Sequence, residues 1–389
     1  MARLGDVCKL VSGNSLPETI VAEKGELPYV KVAELNLAEN TPNITTSRQF
    51  VSATDISAKQ IVPVGTVIFP KRGGAIGTNK KRLVSTPICM DLNLMGVIPS
   101  SKLYPQYLYY FFENIDMGAL SNGSSVPQIN NSDIAPLEIR IPDITTQKDI
   151  ATRLDKVTEL IALRKEQLAK LDQLVKSRFI ELFGDPMENP MRWDRVNISA
   201  VVGGKVSNGF FAKRDDYCDS GNVKVLGVAH VVNRMYSNIE DLPTTNGTEV
   251  DVVKYGVKYG DMLFCRSSLV AAGIGKASIV PKNTPNNVLF ECHVIRLPLD
   301  LNKCVPEFMQ VLSTTEYFRN QVIAQAKTAT MTTIGQDGIL KTNIVLPPLE
   351  MQKKFLAFIE QTDKSKLAIQ QSLDKLELLK KSLMQEYFG

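Results

Sequence analysis

The side chains best suited to act on a partner are basic residues in a glycine-rich stretch of this 389-residue chain. Residues 69–82 contain no acidic residue and five basic ones, namely Lys71, Arg72, Lys80, Lys81 and Arg82. Lys and Arg neutralise phosphates, and Arg also hydrogen-bonds guanine in the major groove. Three glycines in the same stretch would let another backbone approach closely. The stretch is therefore a candidate nucleic-acid contact, with a solvated basic loop as the alternative.

Further candidates lie in other predicted loops. Arg266 and Lys276 belong to a second stretch with serine and glycine between them, and Lys213 and Arg214 follow Phe211. Two later loops offer polar side chains suited to base edges or phosphates, namely Ser124, Ser125, Gln128, Lys327, Thr328 and Thr330. A plain turn role is the alternative for the residues of these two later loops.

The patterns that DNA-modifying chemistry requires are missing from the sequence. No acidic residue has lysine two positions later, the spacing that a common class of metal-dependent nucleases needs. Pro347-Pro348 lies between leucines, so it lacks the amide and the aromatic ring of a methyltransferase tetrapeptide. His230 and His293 are the only histidines, and neither lies in a nucleophile–base pattern. We expect a protein that is not an enzyme, with an unrecognised carboxylate pair as the alternative.

Composition limits the class of protein further. The six cysteines form no CxxC pair, which argues against a zinc site or a disulfide framework. No stretch approaches the ~18 apolar residues of a membrane-spanning helix, and the first residues do not resemble a signal peptide. The net charge is only +4, so any nucleic-acid surface must arise from local clustering. We expect a cytoplasmic, reduced protein without a metal site or membrane segment.

The two basic stretches occupy equivalent places in an internal repeat. A constant offset of 205 matches apolar, proline, glutamine and glycine positions of the two halves, including Ile129 with Ile334, Pro142 with Pro347, Gln147 with Gln352 and Phe183-Gly184 with Phe388-Gly389. Nearer the start of each half the offset is 194 or 195, and Phe69 then matches Phe264. Residues 69–74 lie opposite residues 264–269 and share almost nothing beyond that phenylalanine. The pattern indicates one duplicated unit whose scaffold was kept and whose variable surface was rewritten.

One long helix completes each copy of the repeat. A heptad seam lies in residues 145–183, formed by Ile150, Leu154, Val157, Ile161, Leu168, Leu171, Val175 and Leu182. The second seam is formed by Phe355, Ile359, Thr362, Lys366, Ile369, Leu373, Leu376, Lys380, Leu383 and Tyr387. Thr146 and Asp149 resemble a capping box at the first helix start. Helices of this length need a partner along the whole seam, so we expect them to pair antiparallel. Packing of each helix on its own domain is the alternative.

The predicted fold is α+β with a pseudo-two-fold internal repeat. Two tandem α/β domains are separated by two long antiparallel coiled-coil helices. The expected boundaries are 1–144 for the first domain, 145–184 for the central helix, 185–349 for the second domain and 350–389 for the C-terminal helix.

This layout resembles the specificity subunit of Type I restriction-modification systems. The likeness rests on residues 141–150 and 346–352, where the family passes from a recognition domain into a long helix. Residues 4–7 and Trp193 with the residues after it resemble the openings of the two recognition domains. The resemblance covers essentially the whole chain, and the order and duplication of the motifs are more specific than any single motif. Residues 142–145 read Pro-Asp-Ile-Thr where the second copy reads Pro-Pro-Leu-Glu, which weakens the first junction motif.

The resemblance implies a function. Each recognition domain would read one half of a split, asymmetric site in double-stranded DNA, and the helices would set the unspecified spacer. Two modification subunits would dock on the helices and methylate DNA with S-adenosylmethionine, while this chain binds no cofactor itself. Restriction subunits can add cleavage to such a complex.

Two other classes of protein compete with this interpretation. A coiled-coil adaptor with two protein-binding domains would show no salt-dependent DNA affinity in a reconstituted complex. An isolated DNA-modifying enzyme would be active without partners, which the missing catalytic patterns disfavour. Genes for modification and restriction subunits next to this one would favour the specificity subunit.

Overall fold

The computed structural model describes residues 1–122, 126–328 and 330–389. Its internal contacts divide the chain into unit 1, residues 1–165 and 371–389, and unit 2, residues 166–370. The division falls within each long helix, whereas the boundaries predicted from the sequence follow the helix ends. Each unit is therefore a mixed domain together with a segment of both helices.

Unit 1 begins with short strands and helices and leads into the first long helix. Its strands are β1 Ala2–Arg3, β2 Cys8–Ser12, β3 Leu27–Val30, β4 Asn43–Ile44, β5 Phe50–Val51, β6 Ile61–Val62, β7 Val67–Pro70, β8 Arg82–Val84, β9 Ile88–Met90, β10 Leu94–Pro99 and β11 Glu138–Ile139. Its helices are α1 Leu4–Val7, α2 Pro105–Glu113, α3 Met117–Leu120, α4 Asn131–Ile134 and the start of α5 Ile144–Phe183.

The main sheet of unit 1 has the order β2-β10-β7-β8-β4, and a second sheet has the order β5-β3-β9-β6. Strand β7 consists of β-branched and aromatic residues followed by proline, and all four are buried. It lies between β10 and β8, with both of which it pairs antiparallel. Helix α2 covers this sheet, and Phe69 and Phe112 pack with ring centroids 5.4 Å apart. Strand β7 thereby fixes the position of the basic stretch that follows it.

Unit 2 repeats this succession of elements. Its strands are β12 Asp194–Asn197, β13 Ser207–Asn208, β14 Val223–Leu226, β15 Thr244–Thr245, β16 Asp261–Cys265, β17 Ser267–Ser268, β18 Ala277–Ile279, β19 Val288–Phe290, β20 Val294–Pro298, β21 Lys327–Thr328, β22 Thr332–Thr333 and β23 Asn343–Leu346. Its helices are α6 Val228–Val231, α7 Glu249–Tyr255, α8 Pro306–Thr314, α9 Glu316–Ala324, α10 Gln336–Leu340 and the start of α11 Leu349–Phe388.

The sheets of unit 2 match those of unit 1. The order β13-β20-β16-β18 corresponds to β2-β10-β7-β8, with β16 in the place of β7. Strand pair β14–β19 is parallel, as is its counterpart β3–β9. The predicted internal repeat is therefore present in the strand order as well as in the sequence.

A close backbone crossing is also duplicated. At Gly13 an added Cβ would lie 2.0 Å from the Asp91 carbonyl oxygen, and at Gly209 it would lie 2.2 Å from that of Glu291. Real Cβ atoms do not approach oxygen so closely, so only glycine fits at either crossing. The chain after β2 and the chain after β13 thus pass the same point of their respective domains.

The two long helices of the predicted fold are confirmed. Helix α5 is Ile144–Phe183 and helix α11 is Leu349–Phe388. The predicted capping box of Thr146 and Asp149 is wrong, because Asp143 caps α5 instead. Its Oδ1 accepts hydrogen bonds from the backbone nitrogens of Thr145 and Thr146, each at 3.0 Å. The hydroxyl of Thr146, which donates to Asp143 Oδ2 at 2.6 Å, lowers the pKa of Asp143 below its ordinary value, and the backbone hydrogen bonds lower it further.

The predicted seams are the least exposed faces of both helices, and every seam position is buried or half-buried. Within unit 1, Lys165 Nζ lies 2.9 Å from Glu377 Oε1. Within unit 2, Lys366 Nζ lies 2.6 Å from Asp172 Oδ1. Unit 1 also joins Arg153 of α5 to Tyr387 of α11, and unit 2 also joins Phe179 of α5 to Phe355 of α11. Within each unit, residue numbers therefore fall along α11 as they rise along α5, so the two segments are antiparallel. The polar seam position at Lys366 is explained by its ion pair.

The helix ends are held by aromatic packing inside each unit. In unit 2, the ring of Phe183 at the end of α5 lies 4.9 Å from Phe308 of α8 and 5.6 Å from Phe355 of α11, measured between centroids. In unit 1, Phe388 at the end of α11 lies 5.0 Å from Tyr107 of α2. Phe183 and Phe388 are a matched pair of the repeat. Helix α5 therefore ends on the mixed domain of unit 2 at the surface that corresponds to the one on which α11 ends in unit 1. The sequence alternative, each helix packed only on its own domain, is wrong.

Candidate nucleic-acid interface

In unit 1 the predicted basic residues and the later polar loop lie side by side. Loop 1, residues 71–79, leaves β7 and pairs with residues 127–129. The backbone nitrogen of Ile129 donates to the Lys71 carbonyl at 2.9 Å, and Arg72 forms a β-bridge with Gln128. The structure thus brings Lys71, Arg72 and Gln128 together. Ser124 and Ser125, predicted for the same surface, lie outside the described residues.

Lys71 and Arg72, the two basic side chains of loop 1, differ in how available they are to a ligand. Lys71 is half-buried, and its Nζ donates to Ser12 Oγ at 2.8 Å. Burial and the neighbouring Arg72 lower the pKa of Lys71. Arg72 is exposed, and no hydrogen bond or ion pair of its side chain occurs within the described residues. Arg72 is therefore the side chain of loop 1 with its donors most available to a ligand.

The backbone of loop 1 is open on its outer side. Gly73 has φ +76° and ψ −171°, a conformation that side-chain-bearing residues rarely adopt. A Cβ added at Gly73, Gly74 or Gly77 would meet no atom within 4 Å. These glycines therefore leave space beside the loop that another molecule can enter, as expected from their sequence pattern.

The other basic residues of the first stretch serve the fold. Lys81 is 1% exposed, and its Nζ donates to Asn79 Oδ1 at 2.8 Å and to the Ile115 carbonyl at 2.7 Å. The prediction of Lys81 as a DNA contact is therefore wrong, because its ammonium group is enclosed by protein. Arg82 is half-buried, and its guanidinium donates to the carbonyls of Lys81 and Leu35, each at 2.8 Å. Its charge holds the chain around β8 in place.

Loop 2, residues 266–275, has the same position in unit 2. The backbone nitrogen of Ile334 donates to the Arg266 carbonyl at 3.0 Å, as Ile129 does to Lys71. Strand β17 then pairs with β22, which pairs with β21, so the exposed residues Lys327 and Thr328 lie beside loop 2. Thr330 is exposed in the turn between β21 and β22. The residues predicted for loop 2 and for this turn thus form one surface.

The side chain of Arg266 is partly committed to this surface. One nitrogen, Nη1, donates to the Cys292 carbonyl at 3.1 Å, and the residue is half-buried. A guanidinium carries five N–H donors, so most of its donors are left for a ligand. The fixed guanidinium plane favours bidentate recognition.

A lysine–asparagine pair is duplicated beside both loops. Lys276 Nζ donates to Asn233 Oδ1 at 2.7 Å, and Lys80 Nζ donates to Asn36 Oδ1. Lys276 directly precedes Ala277, which pairs with Phe264 of β16, and Lys80 lies two residues before Arg82, which pairs with Ile68 of β7. The sequence analysis identified both lysines and missed both asparagines. The matching offset of 196 or 197 between the pairs would have indicated them.

Lys213 and Arg214 lie elsewhere in unit 2. They precede and begin a short turn in which the Lys213 backbone nitrogen donates to Asp216 Oδ2 at 2.7 Å. This turn leads to Tyr217, which bridges Thr245 of β15. Both basic residues are exposed, but two aspartates follow them directly. The structure therefore does not join them to loop 2 through β17 and β22.

Loop 2 carries two apolar side chains that the sequence analysis missed. Leu269 is 83% exposed and Val270 is 62% exposed, directly after the paired serines of β17. Burying an apolar side chain against a partner is favourable, so large apolar side chains exposed at a candidate interface indicate a contact with that partner. Both residues lie in the most diverged segment of the repeat, and this divergence could have identified them from the sequence.

The described residues contain neither a metal-binding cluster nor a membrane-spanning helix. Residues 1–122, 126–328 and 330–389 contain no group of three or more His, Cys, Asp or Glu side chains placed to hold a metal ion. In the same ranges no helix combines the length and the apolar character needed to cross a membrane.

Two copies of a mixed domain, each with an exposed loop beside a second polar turn and an antiparallel helix pair, define a duplicated α+β protein. The sequence model of the family described as Type I restriction modification DNA specificity domain matches residues 1–173 and again residues 191–378. The chain therefore belongs to this family, as the sequence resemblance predicted.

Individual relatives agree with this assignment. The Type I restriction enzyme MjaIX specificity subunit of Methanocaldococcus jannaschii is 22% identical over 378 residues, covering 90% of this chain and 83% of the relative. The EcoKI specificity subunit of Escherichia coli K12 is 22% identical over 394 residues, covering 92% and 82%. The StySPI specificity subunit of Salmonella potsdam is 24% identical over 389 residues, covering 92% and 82%.

Solved structures share the fold. The S subunit of a Type I restriction-modification system from M. genitalium superposes with a TM-score of 0.56 at 12% identity, covering 100% of this chain and 95% of that chain. A chain from a study of complex assembly and conformational transition of the type I R-M system gives a TM-score of 0.57 at 16% identity, covering 100% and 96%. The predicted fold class is confirmed.

Proposed function

We propose that this chain is the DNA sequence-recognition subunit of a Type I restriction-modification complex. Its two domains each read one half of a split, asymmetric site in double-stranded DNA. The observation that carries the proposal is that loop 1 and loop 2 each pair with a later segment of their own unit in the same backbone register. After that matched position the two loops carry different side chains. Arg72-Gly73-Gly74 in loop 1 stands where Ser267-Ser268-Leu269 stands in loop 2.

A shared scaffold with different contact residues is what two independent readers require. Phosphate contacts position a protein on the duplex, whereas side chains at base edges specify sequence. Loop 1 offers a free arginine and an open backbone, and loop 2 offers a partly fixed arginine, two serines and two apolar side chains. These chemistries differ, so the two half-sites should differ in sequence.

The long helices supply the second part of the function. Their antiparallel segments support a fixed spacing between half-sites, which gives the spacer its length. Apolar side chains on their outer faces support docking of modification subunits, namely Leu160, Leu163, Leu174, Ile180, Leu367, Leu378 and Leu379, all at least 43% exposed. Exposed leucines in such number are typical of a protein-binding surface.

The chemistry of the complex is assigned to those partners. Two modification subunits transfer the methyl group of S-adenosylmethionine to DNA, and restriction subunits can add cleavage. This chain contributes the choice of sequence and no catalytic group of its own. The function requires the compartment that holds the DNA, which is the cytoplasm.

Methylome mapping tests the proposal. The chain is co-expressed with a modification subunit of its own system in a host without other adenine or cytosine methylation, and all methylated positions are mapped. We expect one split motif of two different half-sites separated by a spacer of constant length. A complex that forms without methylating or binding DNA would instead support a coiled-coil adaptor.

A further inference from the structure

A groove of about 400 Å³ lies within unit 2, between the helix pair and the mixed domain. Asp172 and Val175 of α5 and Lys366 of α11 line one side, and residues of α8, α9 and β18 line the other. Its basic side chains are Lys176, Arg234, Lys276, Arg319 and Lys366. Asp172 is the single acidic side chain of the lining, so the groove is strongly positive.

Most of this positive charge is uncompensated. Asp172 is already paired with Lys366 at 2.6 Å. Lys276 and Arg234 donate to neutral oxygens, Asn233 Oδ1 at 2.7 Å and the Ala229 carbonyl at 3.4 Å. Lys176 is exposed and makes no hydrogen bond or ion pair with any residue that the structure describes. Four cations therefore face one small volume without a carboxylate of their own.

Arg319 adds to the energetic cost of this arrangement. Its Nη2 donates to the Ala272 carbonyl at 3.0 Å, while Nη1 is enclosed without a hydrogen-bond partner. Burial lowers the pKa of Arg319 from its ordinary value, although a guanidinium remains charged at neutral pH. A bound anion would offset the desolvation of this charge and the repulsion among its neighbours.

The groove adjoins loop 2, because Arg319 of its lining donates to the Ala272 carbonyl of that loop at 3.0 Å. The backbone nitrogen of Cys265, the residue before Arg266, donates to the carbonyl of Lys276 at 2.8 Å, and Lys276 directly follows loop 2. Lys276 lines the groove, whereas Arg266 belongs to the proposed base-reading surface. A polyanion bound at loop 2 therefore has its next segment within reach of the groove.

We propose that this groove binds phosphate groups of the DNA strand next to the bases that unit 2 reads, and so fixes the register of the duplex. The inference rests on the proposed function and adds a backbone site to the base-reading loops. Phosphate is the shared chemistry, and a DNA phosphate is favoured over a free one because the groove adjoins loop 2. Backbone contacts of this kind contribute affinity and position without reading sequence.

Phosphate ethylation interference and salt dependence test the site in the complex of the full chain with its modification subunits. Lys176→Gln and Arg234→Gln each remove one groove cation. Lys364→Gln is the matched control, because Lys364 is an exposed lysine of α11 outside the groove lining. We expect each groove variant to bind every sequence about 5- to 10-fold more weakly at 0.1 M salt, with a salt slope smaller by about 0.9. Ethylation of one backbone segment beside the second half-site should inhibit the wild type and the control, and no longer inhibit the groove variants.

The possible results separate the two proposals. Groove variants that match Lys364→Gln in affinity, slope and interference, while all bind the split site, overturn the groove alone. A wild-type complex with no DNA affinity overturns both. A groove variant that loses modification-subunit binding but keeps the phosphate interference shows that an acidic protein segment occupies the groove. A groove variant that loses only the rise in unfolding temperature caused by inorganic phosphate shows a free-anion site. Either result overturns the inference. Thermal unfolding confirms that each variant is folded.

Discussion

Gln147 and Gln352 make the same three hydrogen bonds, each within its own unit. Gln147 Oε1 accepts from the Tyr104 backbone nitrogen at 2.8 Å. Its Nε2 donates to the Lys102 carbonyl at 2.9 Å and to the Pro142 carbonyl at 2.8 Å. The side chain thus joins the first turn of α5 to the entry of α2 and to the chain before α5.

Gln352 repeats this arrangement at the start of α11. Its Oε1 accepts from the Val305 nitrogen at 2.9 Å, and its Nε2 donates to the Lys303 and Pro347 carbonyls at 3.3 and 2.8 Å. Both glutamines are fully buried. A buried amide with its partners in place orients each long helix on its domain, because an unpaired amide there would be costly.

Replacing Gln147 by leucine should release the start of α5. Gln147→Leu leaves the Tyr104 amide and two carbonyls without partners, and one such buried group costs ~1–3 kcal/mol. We expect the Tyr104 amide to exchange with solvent at least tenfold faster in hydrogen-exchange measurements, with the Val305 amide unchanged. Gln173→Leu, at an exposed position of the same helix, should leave both rates as in the wild type. Equal rates at Tyr104 in the two variants would contradict this role.

Arg72 should determine sequence choice in one half-site only. Its guanidinium is exposed and unpaired within the described chain, so a bidentate contact to guanine is available to it. In the complex with modification subunits, Arg72→Gln should reduce discrimination at one base pair by about 1–3 kcal/mol, or about 5- to 150-fold, and leave the other half-site unchanged. Binding to a library of substituted sites measures this effect.

The control for this prediction is Lys59→Gln, which removes an exposed charge from a short helical turn away from loop 1. It should bind all sites with wild-type discrimination. Arg266→Gln should relax the opposite half-site. If Arg72→Gln weakens binding equally on every sequence, Arg72 contacts phosphate and does not read a base.

The helices and the repeat were predictable because their signals are long. A heptad seam extends through many turns, and matched anchors such as Ile129 and Ile334 fix the register of both copies. The same anchors predicted that loop 1 and loop 2 occupy equivalent positions in the two copies of the repeat, which the hydrogen bonds from Ile129 to Lys71 and from Ile334 to Arg266 confirm. These features depend on periodicity and register, which a single sequence records.

The sequence could not predict in the same way which basic side chains are buried and which are exposed. Lys80 and Lys81 are adjacent in a short strand entry, where successive side chains point to opposite faces. Only the fold shows which of them points inward, and it is Lys81, bound to Asn79 and to a carbonyl. The capping of α5 by Asp143 was missed for a related reason, since several polar residues near a helix start compete for the same role.

Leu269 should contribute to recognition of one half-site through apolar contact. An exposed leucine beside basic residues suits the methyl group of thymine. Leu269→Ala should leave stability within about 0.5 kcal/mol of the wild type, because the side chain is 83% exposed. Discrimination at one position of the half-site read by unit 2 should fall several-fold in the same library assay.

Val253→Ala is the matched control, since Val253 is 85% exposed on α7 of the same unit. It should preserve stability and discrimination at every position. An unchanged preference at all positions in Leu269→Ala would exclude loop 2 apolar contacts from sequence reading.

His230 should make unit 2 less stable in mild acid. Burial, and then the nearby Arg234, lower its pKa below 6.5, against a smaller opposing effect of Glu291. In the fold its Nδ1 accepts from the Gly227 nitrogen at 3.1 Å, which requires the neutral ring. As pH falls through 6.5 the unfolded chain takes up a proton that the folded chain does not, so the free energy of unfolding decreases until the folded pKa is passed.

Denaturant unfolding of unit 2 between pH 8 and pH 5 measures this decrease, and His230→Asn is compared with His293→Asn. The decrease should be smaller in His230→Asn and retained in His293→Asn, and equal decreases in the two variants would show that His230 is not the group responsible.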